Sequence, residues 1–190
     1  VEHEQPTRAE VTDIANAILD GTDGVMLSAE TAIGRFPTET VEVLHRVITA
    51  TETEYASQIA LDRLNKGRSG FPHDPISFVA CQFLVDLDAK AIIVPVHDIG
   101  AALGIARFRP KAPILAMVDS ESLYHQLSAV WGVVPMLTSN LAETYVCVAK
   151  AKQWLFEHQL ARPGDPVVVL SMSATCQGKV DTLQVIYLSS

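Results

Sequence analysis

The sequence of 190 residues has few cysteines, few cations and no long apolar run. Its three cysteines, Cys81, Cys147 and Cys176, are widely separated and odd in number, which excludes a fully paired disulfide framework and a single-chain metal site of four cysteines. This cysteine usage predicts a reducing compartment, the cytoplasm. No apolar stretch approaches the ~20 residues of a membrane span, and the first five residues lack the basic and apolar regions of a signal peptide. We therefore expect no membrane partner.

The charge balance narrows the possible partners. Fourteen Lys and Arg residues against 22 Asp and Glu residues give a formal net charge of −8 at pH 7. Nucleic-acid recognition normally requires a basic surface, so no nucleic-acid partner is expected. The six histidines show no close pair or metal-ligand spacing, which predicts no metal site within this chain.

A helix with a clear start signal is predicted near the amino end. Thr7 can cap it, and Glu10, three residues later, can reach back to complete a capping box. Apolar residues then recur at helical spacing as far as Leu19, and Gly21 follows as a stop signal.

A short strand is predicted next, at Val25-Met26-Leu27, and it leads into Ser28 and Glu30. Because strand side chains alternate, these two polar residues point the same way if the extended form continues. A helix followed by such a strand is typical of the carboxyl-end rim of a (β/α)8 barrel, where active sites form. Ser28 and Glu30 are therefore candidates for an active-site rim. In the alternative interpretation they cap the next segment and hold its loop by hydrogen bonds.

The rest of the chain alternates between helices and apolar strands. A second helix begins at Pro37, and the polar run at 63–74 suits a linker. The spacing then predicts helices at 75–87, 99–108, 122–130 and 141–159 and strands at 91–94, 113–118, 133–137, 166–170 and 182–188. Strands this apolar are buried on both faces. The fold class is thus α/β, a doubly wound, mostly parallel five-stranded sheet whose last strand, which follows without an intervening helix, is antiparallel.

The helix predicted at 75–87 should bury the apolar side chains on one of its faces. These are Ile76, Val79, Ala80, Phe83 and Leu84.

Both halves of the chain resemble pyruvate kinase. The stretch from Pro6 to Val41 is similar to the last helix, strand and helix of the family's catalytic barrel, with Ala29 where the family usually has glycine. Four later stretches resemble its C-terminal domain: Ala89-Lys90-Ala91-Ile92-Ile93-Val94, Ala106 to Ile114, Trp131-Gly132-Val133-Val134-Pro135, and Arg162 to Val169. The resemblance implies a barrel portion at 1–62, a linker at 63–74 and a C-terminal α/β domain at 75–190.

The resemblance carries functional expectations. It implies the C-terminal portion of an enzyme that transfers phosphate from phosphoenolpyruvate to ADP in glycolysis, giving pyruvate and ATP with Mg²⁺ and K⁺. It places the magnesium carboxylates, the potassium site and the catalytic lysine upstream of Val1, so no catalytic residue is assigned here beyond the possible rim pair. The chain alone is expected to bind no metal and to be inactive. The family's tetramers imply a homo-oligomer.

An effector site is predicted where the strands end, because ligands of open α/β sheets bind outside the carboxyl ends of the strands. In relatives that respond to a sugar phosphate, the 96–101 loop carries small hydroxyls and glycine. Here Asp98 would repel a phosphate. A weak site for a phosphorylated effector is predicted from His97, Ser171, Ser173, Thr175, Gly178 and Lys179. Trp131 stands where some relatives place a phosphate-binding arginine. The alternative is that both loops are ordinary turns.

Two other functions fit parts of the sequence. The first is a stand-alone regulatory or assembly module without kinase activity, for which a terminal barrel unit would have no use. The second is a flavodoxin-like or response-regulator domain, which lacks support because no paired acids follow the first strand of the sheet.

Overall fold

The computed structural model describes residues 5–68, 75–171 and 180–189. The chain forms two compact units, Val1–Ile59 and Ala60–Ser190, and each is described by itself. None of the helices in the described part of the chain has the length and apolar character needed to cross a membrane.

The first unit begins with helix α1 at Arg8–Asp20, and its predicted capping box is confirmed. The Thr7 Oγ1 atom accepts a 3.3 Å hydrogen bond from Glu10 N–H, and the Glu10 carboxylate accepts a 2.7 Å bond from Thr7 N–H. Gly21 ends the helix in the left-handed conformation at φ 98°, which glycine adopts without steric cost. No α1 residue is fully buried, so the apolar stripe that includes Leu19 is only partly covered.

The predicted strand Val25–Leu27 is not formed. The segment has no strand partner among the described residues, and Met26 is 87% exposed. A strand needs a neighbouring backbone to satisfy its N–H and C=O groups, which a local apolar pattern does not supply. The chain instead continues into a single helical turn, α2, at Ala29–Ala32.

Helix α3 is a continuous helix of 32 residues at Pro37–Arg68. It begins at the predicted proline and extends six residues into the segment predicted as a linker at 63–74. Ala60 and Leu64, one turn apart, are buried, and Leu64 belongs to the core of the second unit. Burial of this turn explains why the helix continues through a locally polar sequence, since packing overrides composition.

The second unit contains a five-stranded sheet in the order β3-β2-β1-β4-β5. The strands are β1 at Ile92–Pro95, β2 at Ile114–Val118, β3 at Val133–Leu137, β4 at Pro166–Ser171 and β5 at Thr182–Tyr187. The helices are α4 at Pro75–Asp86, α5 at Ile99–Ala106, α6 at Glu121–Leu127 and α7 at Thr144–Glu157. All pairs are parallel except β4 with β5, which confirms the predicted fold class and the antiparallel last strand.

Helices cover both faces of this sheet. Ile92 and Val94 of β1 belong to a core shared with residues of α4, α5 and α6, whereas Ile93 between them belongs to a core shared with α7. The same alternation holds in β2 and β4. Burial on both sides explains why these strands are continuous apolar runs.

The buried face of α4 differs from the predicted one. Ala80 and Leu84 are buried as expected, but Val79 and Phe83 are 40% and 37% exposed. The buried stripe also contains Ser77 and Cys81, at helical spacing from Ala80 and Leu84. These small side chains allow close packing: a Cβ atom on Gly104 of α5 would lie 2.9 Å from Ser77 Oγ. Contact with α5 therefore decides which face of α4 is buried. The apolar periodicity of the sequence did not identify this face.

We expect the two described cysteines to be chemically inert in the folded chain. Burial raises the pKa of the Cys81 thiol from 9.0 to about 12, and burial also raises the pKa of Cys147. In a Cys176→Ser background at pH 8, an aromatic disulfide reagent should not react until denaturant is added, because the thiolate is the reactive form. Rapid release of thiol product from the native variant would contradict this burial.

The raised pKa also sets the direction of a pH effect. Stability contributed by the neutral Cys81 thiol is fully present below about pH 9, the unfolded value, and is lost as the pH rises through about 12. Cys81→Ala should remove this component of the alkaline destabilisation.

Candidate functional site

Ser28 and Glu30 lie at the start of α2 and do not continue an extended strand. Ser28 is the N-cap of α2, and Glu30 is inside the helical turn. The Glu30 carboxylate accepts a 3.0 Å hydrogen bond from Ser28 N–H. The two residues therefore form the loop-holding contact given above as the alternative. A role for them at an active-site rim stays a prediction.

The Glu30 carboxyl group is stabilised in its charged form. Hydrogen bonds from the backbone N–H groups of Glu30 and Ser28 hold the pKa of Glu30 below its ordinary value of 4.5. The negative charge of Glu10 acts in the opposite direction, and it is the weaker effect. An anionic, oriented carboxylate at this position suits holding a loop or a water molecule.

Gly34 closes the same turn and has no room for a side chain. A Cβ atom at this position would lie 2.0 Å from the carbonyl oxygen of Glu30, far inside van der Waals contact. The backbone that places Glu30 therefore requires glycine four residues later.

We expect Gly34→Ala to displace the turn at Ser28–Gly34. The clash is with backbone and cannot be relieved by a rotamer change, so the local cost is of the order of 1–3 kcal/mol. Gly24→Ala is the matched control, because nothing lies within 4 Å of a Cβ atom there. Amide hydrogen exchange at residues 28–34 should accelerate in the first variant and not in the second. Equal exchange in both variants would show that the turn adapts freely.

A cavity of about 330 Å³ lies in the first unit and brings Glu30 together with the start of α1. Its lining combines carboxylates, hydroxyls and apolar groups, including Thr7, Glu10, Asp13, Glu30, Thr40 and Leu27. Thr7 and Glu10 were predicted only as a helix cap. The sequence gives no local signal for their proximity to Glu30, because at least 20 positions separate them from it in the chain.

A second candidate lies at the carboxyl ends of β1 and β4. The strand order reverses here: β2 and β3 lie on one side of β1, and β4 lies on the other. Such a reversal opens a crevice that binds ligands in open α/β sheets. His97 follows β1, and Ser171 ends β4, so the fold brings these two predicted effector residues to the same edge. Ser173, Thr175, Gly178 and Lys179 lie outside the described residues.

Asp98 occupies the start of α5 in this crevice. Its Oδ1 atom accepts a 2.7 Å hydrogen bond from Gly100 N–H, and its backbone is extended, as expected for an N-cap. The helix N-terminus that would attract a phosphate therefore already carries a carboxylate of the chain itself. This geometry agrees with the predicted repulsion of a phosphate at this loop.

Trp131, which stands where some relatives place a phosphate-binding arginine, lies far along the sheet from the predicted effector residue His97. Trp131 precedes β3, so it lies at the amino-end edge of the sheet, opposite the edge that carries His97. The guanidinium carbon of Arg109 lies 4.6 Å from the centre of the Trp131 ring, and Arg109 is only 7% exposed. This cation–π contact gives Trp131 a packing role between the segments that enter β2 and β3.

In residues 5–68, 75–171 and 180–189, no group of three or more His, Cys, Asp or Glu side chains could hold a metal ion.

Comparison with known protein families gives one match in each of the two units. The family model described as "Pyruvate kinase, barrel domain" matches residues 1–41, and the one described as "Pyruvate kinase, alpha/beta domain" matches residues 74–186. The chain belongs to the pyruvate kinase family.

Individual relatives show how much of the family's length the chain represents. It is 40% identical to pyruvate kinase 2 of Synechocystis sp. over 92% of the chain and 28% of that protein. It is 33% identical to a pyruvate kinase of Agrobacterium vitis over 97% of the chain and 39% of that protein. The crystal structure of a pyruvate kinase from Cryptosporidium parvum superposes with a TM-score of 0.84 at 29% identity, covering 98% of this chain and 37% of that one. The chain thus spans 28 to 39% of the length of these relatives.

Proposed function

We propose that the chain is the C-terminal portion of a pyruvate kinase, which transfers phosphate from phosphoenolpyruvate to ADP and gives pyruvate and ATP. The observation that carries this proposal is the order of two family matches on one chain, a barrel portion followed by the α/β domain. In this role the first unit completes the barrel, and the second supplies the subunit-contact and effector domain. The parent enzyme would use Mg²⁺ and K⁺ in the cytoplasm.

The cavity of the first unit limits which part of the reaction this chain can serve. Its charged lining residues are the carboxylates of Glu10, Asp13 and Glu30. Phosphoryl transfer depends on positioning and on cationic groups that neutralise the transferred phosphate. Carboxylates do not supply such neutralisation. Glu10 and Glu30 instead hold their local backbone by hydrogen bonds. The cationic groups of the parent enzyme would belong to its preceding barrel segments.

A chimaera tests this proposal directly. Residues 1–190 would replace the matching C-terminal portion of the Synechocystis relative, and phosphoenolpyruvate-dependent ATP formation would be measured with Mg²⁺ and K⁺. We expect turnover, because the first unit would regain its neighbouring barrel strands. A Gly34→Ala chimaera should form ATP more slowly than a Gly24→Ala control if the turn at Ser28–Gly34 contributes to turnover.

The alternative, a stand-alone regulatory or assembly module, gives the opposite result. A folded chimaera without turnover, together with a native gene product of the mass of this chain, would favour that module. The barrel match at residues 1–41 favours the kinase.

A monophosphorylated effector fits the crevice at β1 and β4 better than a bisphosphate does. Tight capture of two phosphates needs converging cations or N–H groups at each phosphate. At the first loop, the start of α5 is occupied by the Asp98 carboxylate. The second loop contributes the single cation Lys179 in its sequence.

We expect calorimetry with fructose 1,6-bisphosphate to show no micromolar binding to the chain. Asp98→Ser is the informative variant, since it removes the repelling carboxylate and keeps a capping hydroxyl. It should strengthen the binding of inorganic phosphate, whereas Asp119→Ser, at the end of the neighbouring β2, should change it less. Micromolar affinity that is lost in Lys179→Ala would overturn the prediction.

We also propose that the chain forms a homo-oligomer. Support comes from exposed apolar side chains in both units, among them Met26, Ile33, Phe83 and Tyr187. Burial of such side chains against a second copy would remove apolar surface from water, which favours association.

A further inference from the structure

The net charge of the chain is concentrated in its first unit. Residues 1–59 contain 11 Asp and Glu residues but only three Arg and Lys residues. Residues 60–190 contain 11 residues of each sign. The formal charge of −8 therefore belongs to the first unit, and the second unit is neutral. Because the two faces of a protein interface carry complementary potentials, this asymmetry indicates a basic partner for the first unit.

The cavity of the first unit presents negative charge on its walls. The carboxylates of Glu10, Asp13 and Glu30 line it, and none of the described residues around it is Lys, Arg or His. Backbone N–H groups keep the pKa of Glu30 below its ordinary value, against the smaller opposing effect of the Glu10 charge. Glu30 is therefore anionic at neutral pH. When water is excluded from such a cavity, like charges repel more strongly, and an entering cation offsets this repulsion.

Apolar groups adjoin these carboxylates and are only partly covered. Val25 and Leu27 line the same cavity, and Met26 between them is 87% exposed. The segment Val25–Leu27 has no strand partner among the described residues, and no residue of α1 is fully buried. Apolar surface around charged groups is the arrangement that shields an ion pair from water once a partner binds.

The family match indicates which partner this surface fits. The barrel model matches residues 1–41, and the chain spans 28 to 39% of the length of its relatives. Most of the barrel of the parent enzyme therefore lies in preceding segments, which can offer strands to the unpaired backbone of Val25–Leu27. A second copy of the chain would bring the same negative charge to this surface, so like-charge repulsion disfavours it as the occupant.

We propose that the first unit is a docking site for a basic face of the preceding barrel segments and holds them without a peptide link. A lysine or arginine side chain of those segments enters the carboxylate-lined cavity and pairs with Glu30. This inference rests on the proposed function and names the partner of the cavity. Because opposite charges contribute to the contact, its strength should fall as salt is added.

A cleavable form of the chimaera with the Synechocystis relative tests this docking after both parts have folded together. A protease site immediately before Val1 allows the peptide link to be cut in the folded protein. We expect the two parts to co-elute in size-exclusion chromatography at low salt and to separate as the salt concentration rises. The amides of Val25–Leu27 should exchange more slowly in the cleaved complex than in the 190-residue chain alone.

Glu30→Gln removes the charge of the cavity wall but keeps an acceptor for the Ser28 N–H group. It should raise the rate at which the cleaved parts separate about tenfold or more, because loss of one partner of a buried charge pair acts mainly on dissociation. Glu42→Gln is the matched control, since it removes the same charge from an exposed position of α3 outside the cavity. It should change this rate less than about threefold.

The outcomes separate this docking from the proposed function. An uncleaved chimaera that forms ATP, but whose parts separate on cleavage even at low salt, would overturn the docking and leave the proposed function standing. Equal dissociation rates for Glu30→Gln and Glu42→Gln would also overturn it, because the cavity would then have no cationic partner. An inactive chimaera whose cleaved parts stay together, and separate faster with Glu30→Gln, would support the docking and count against the proposed function.

The unsubstituted complex keeps the test decisive if Glu30→Gln does not fold. Cleaved parts that stay together equally well at every salt concentration would overturn the basic face. Unchanged exchange at Val25–Leu27 on docking would likewise overturn the contact with this segment.

Discussion

Val168→Asp should unfold the second unit. Val168 is fully buried in β4 and pairs with Ile92 on one side and Val185 on the other. Its side chain lies in the core covered by α4, α5 and α6, where the described residues offer it no cationic partner. An uncompensated buried charge costs about 3–5 kcal/mol, a large share of the 5–15 kcal/mol that typically stabilises a domain.

The measurement is chemical denaturation followed by circular dichroism. Gln184→Asp is the control, because it introduces the same carboxylate on the neighbouring strand at an exposed position. We expect it to shift stability by less than about 1 kcal/mol. Similar midpoints for the two variants would show that β4 is not central to the core.

The 190-residue chain by itself should not form ATP from phosphoenolpyruvate and ADP. Cationic stabilisation of the transferred phosphate by one arginine is worth about 10³–10⁵ in rate. The cavity of the first unit contributes carboxylates and hydroxyls, and its apolar wall at Val25–Leu27 lacks strand partners within the described part of the chain. Turnover should therefore be at least ~10³-fold below that of the chimaera with the Synechocystis relative.

The comparison requires a preparation free of host pyruvate kinase. A purification tag on the chain and a parallel preparation of the Val168→Asp variant give the contaminant background. Magnesium- and potassium-dependent turnover by the chain above that background would contradict the proposal that the cationic groups belong to the preceding barrel segments.

Features that depend on local chemistry could be predicted from the sequence. The capping box of Thr7 and Glu10 is made by residues three positions apart, and the left-handed turn at Gly21 is a property of glycine itself. The strands of the second unit could also be predicted, because burial on both faces leaves continuous apolar runs. An antiparallel β5 followed from the absence of a crossover helix.

Features that depend on distant partners could not be predicted in the same way. Val25–Leu27 has the apolar composition of a strand, but a strand also requires a neighbouring backbone. Val79 and Phe83 fit an apolar helical face, yet the fit of Ser77 against Gly104 turns another face inward. Trp131 was matched by sequence to an arginine of some relatives, and only the direction of β3 shows that it lies on the edge opposite His97.

The β3 edge of the sheet is closed to the addition of a further strand. The outward N–H of Val133 bonds to Val130 C=O, Pro135 has no N–H, and Leu137 C=O accepts a hydrogen bond from Lys150 Nζ. A valine at position 135 would restore one outward N–H group on this edge. Proline at this position thus limits the capacity of β3 to template the growth of the sheet by other chains.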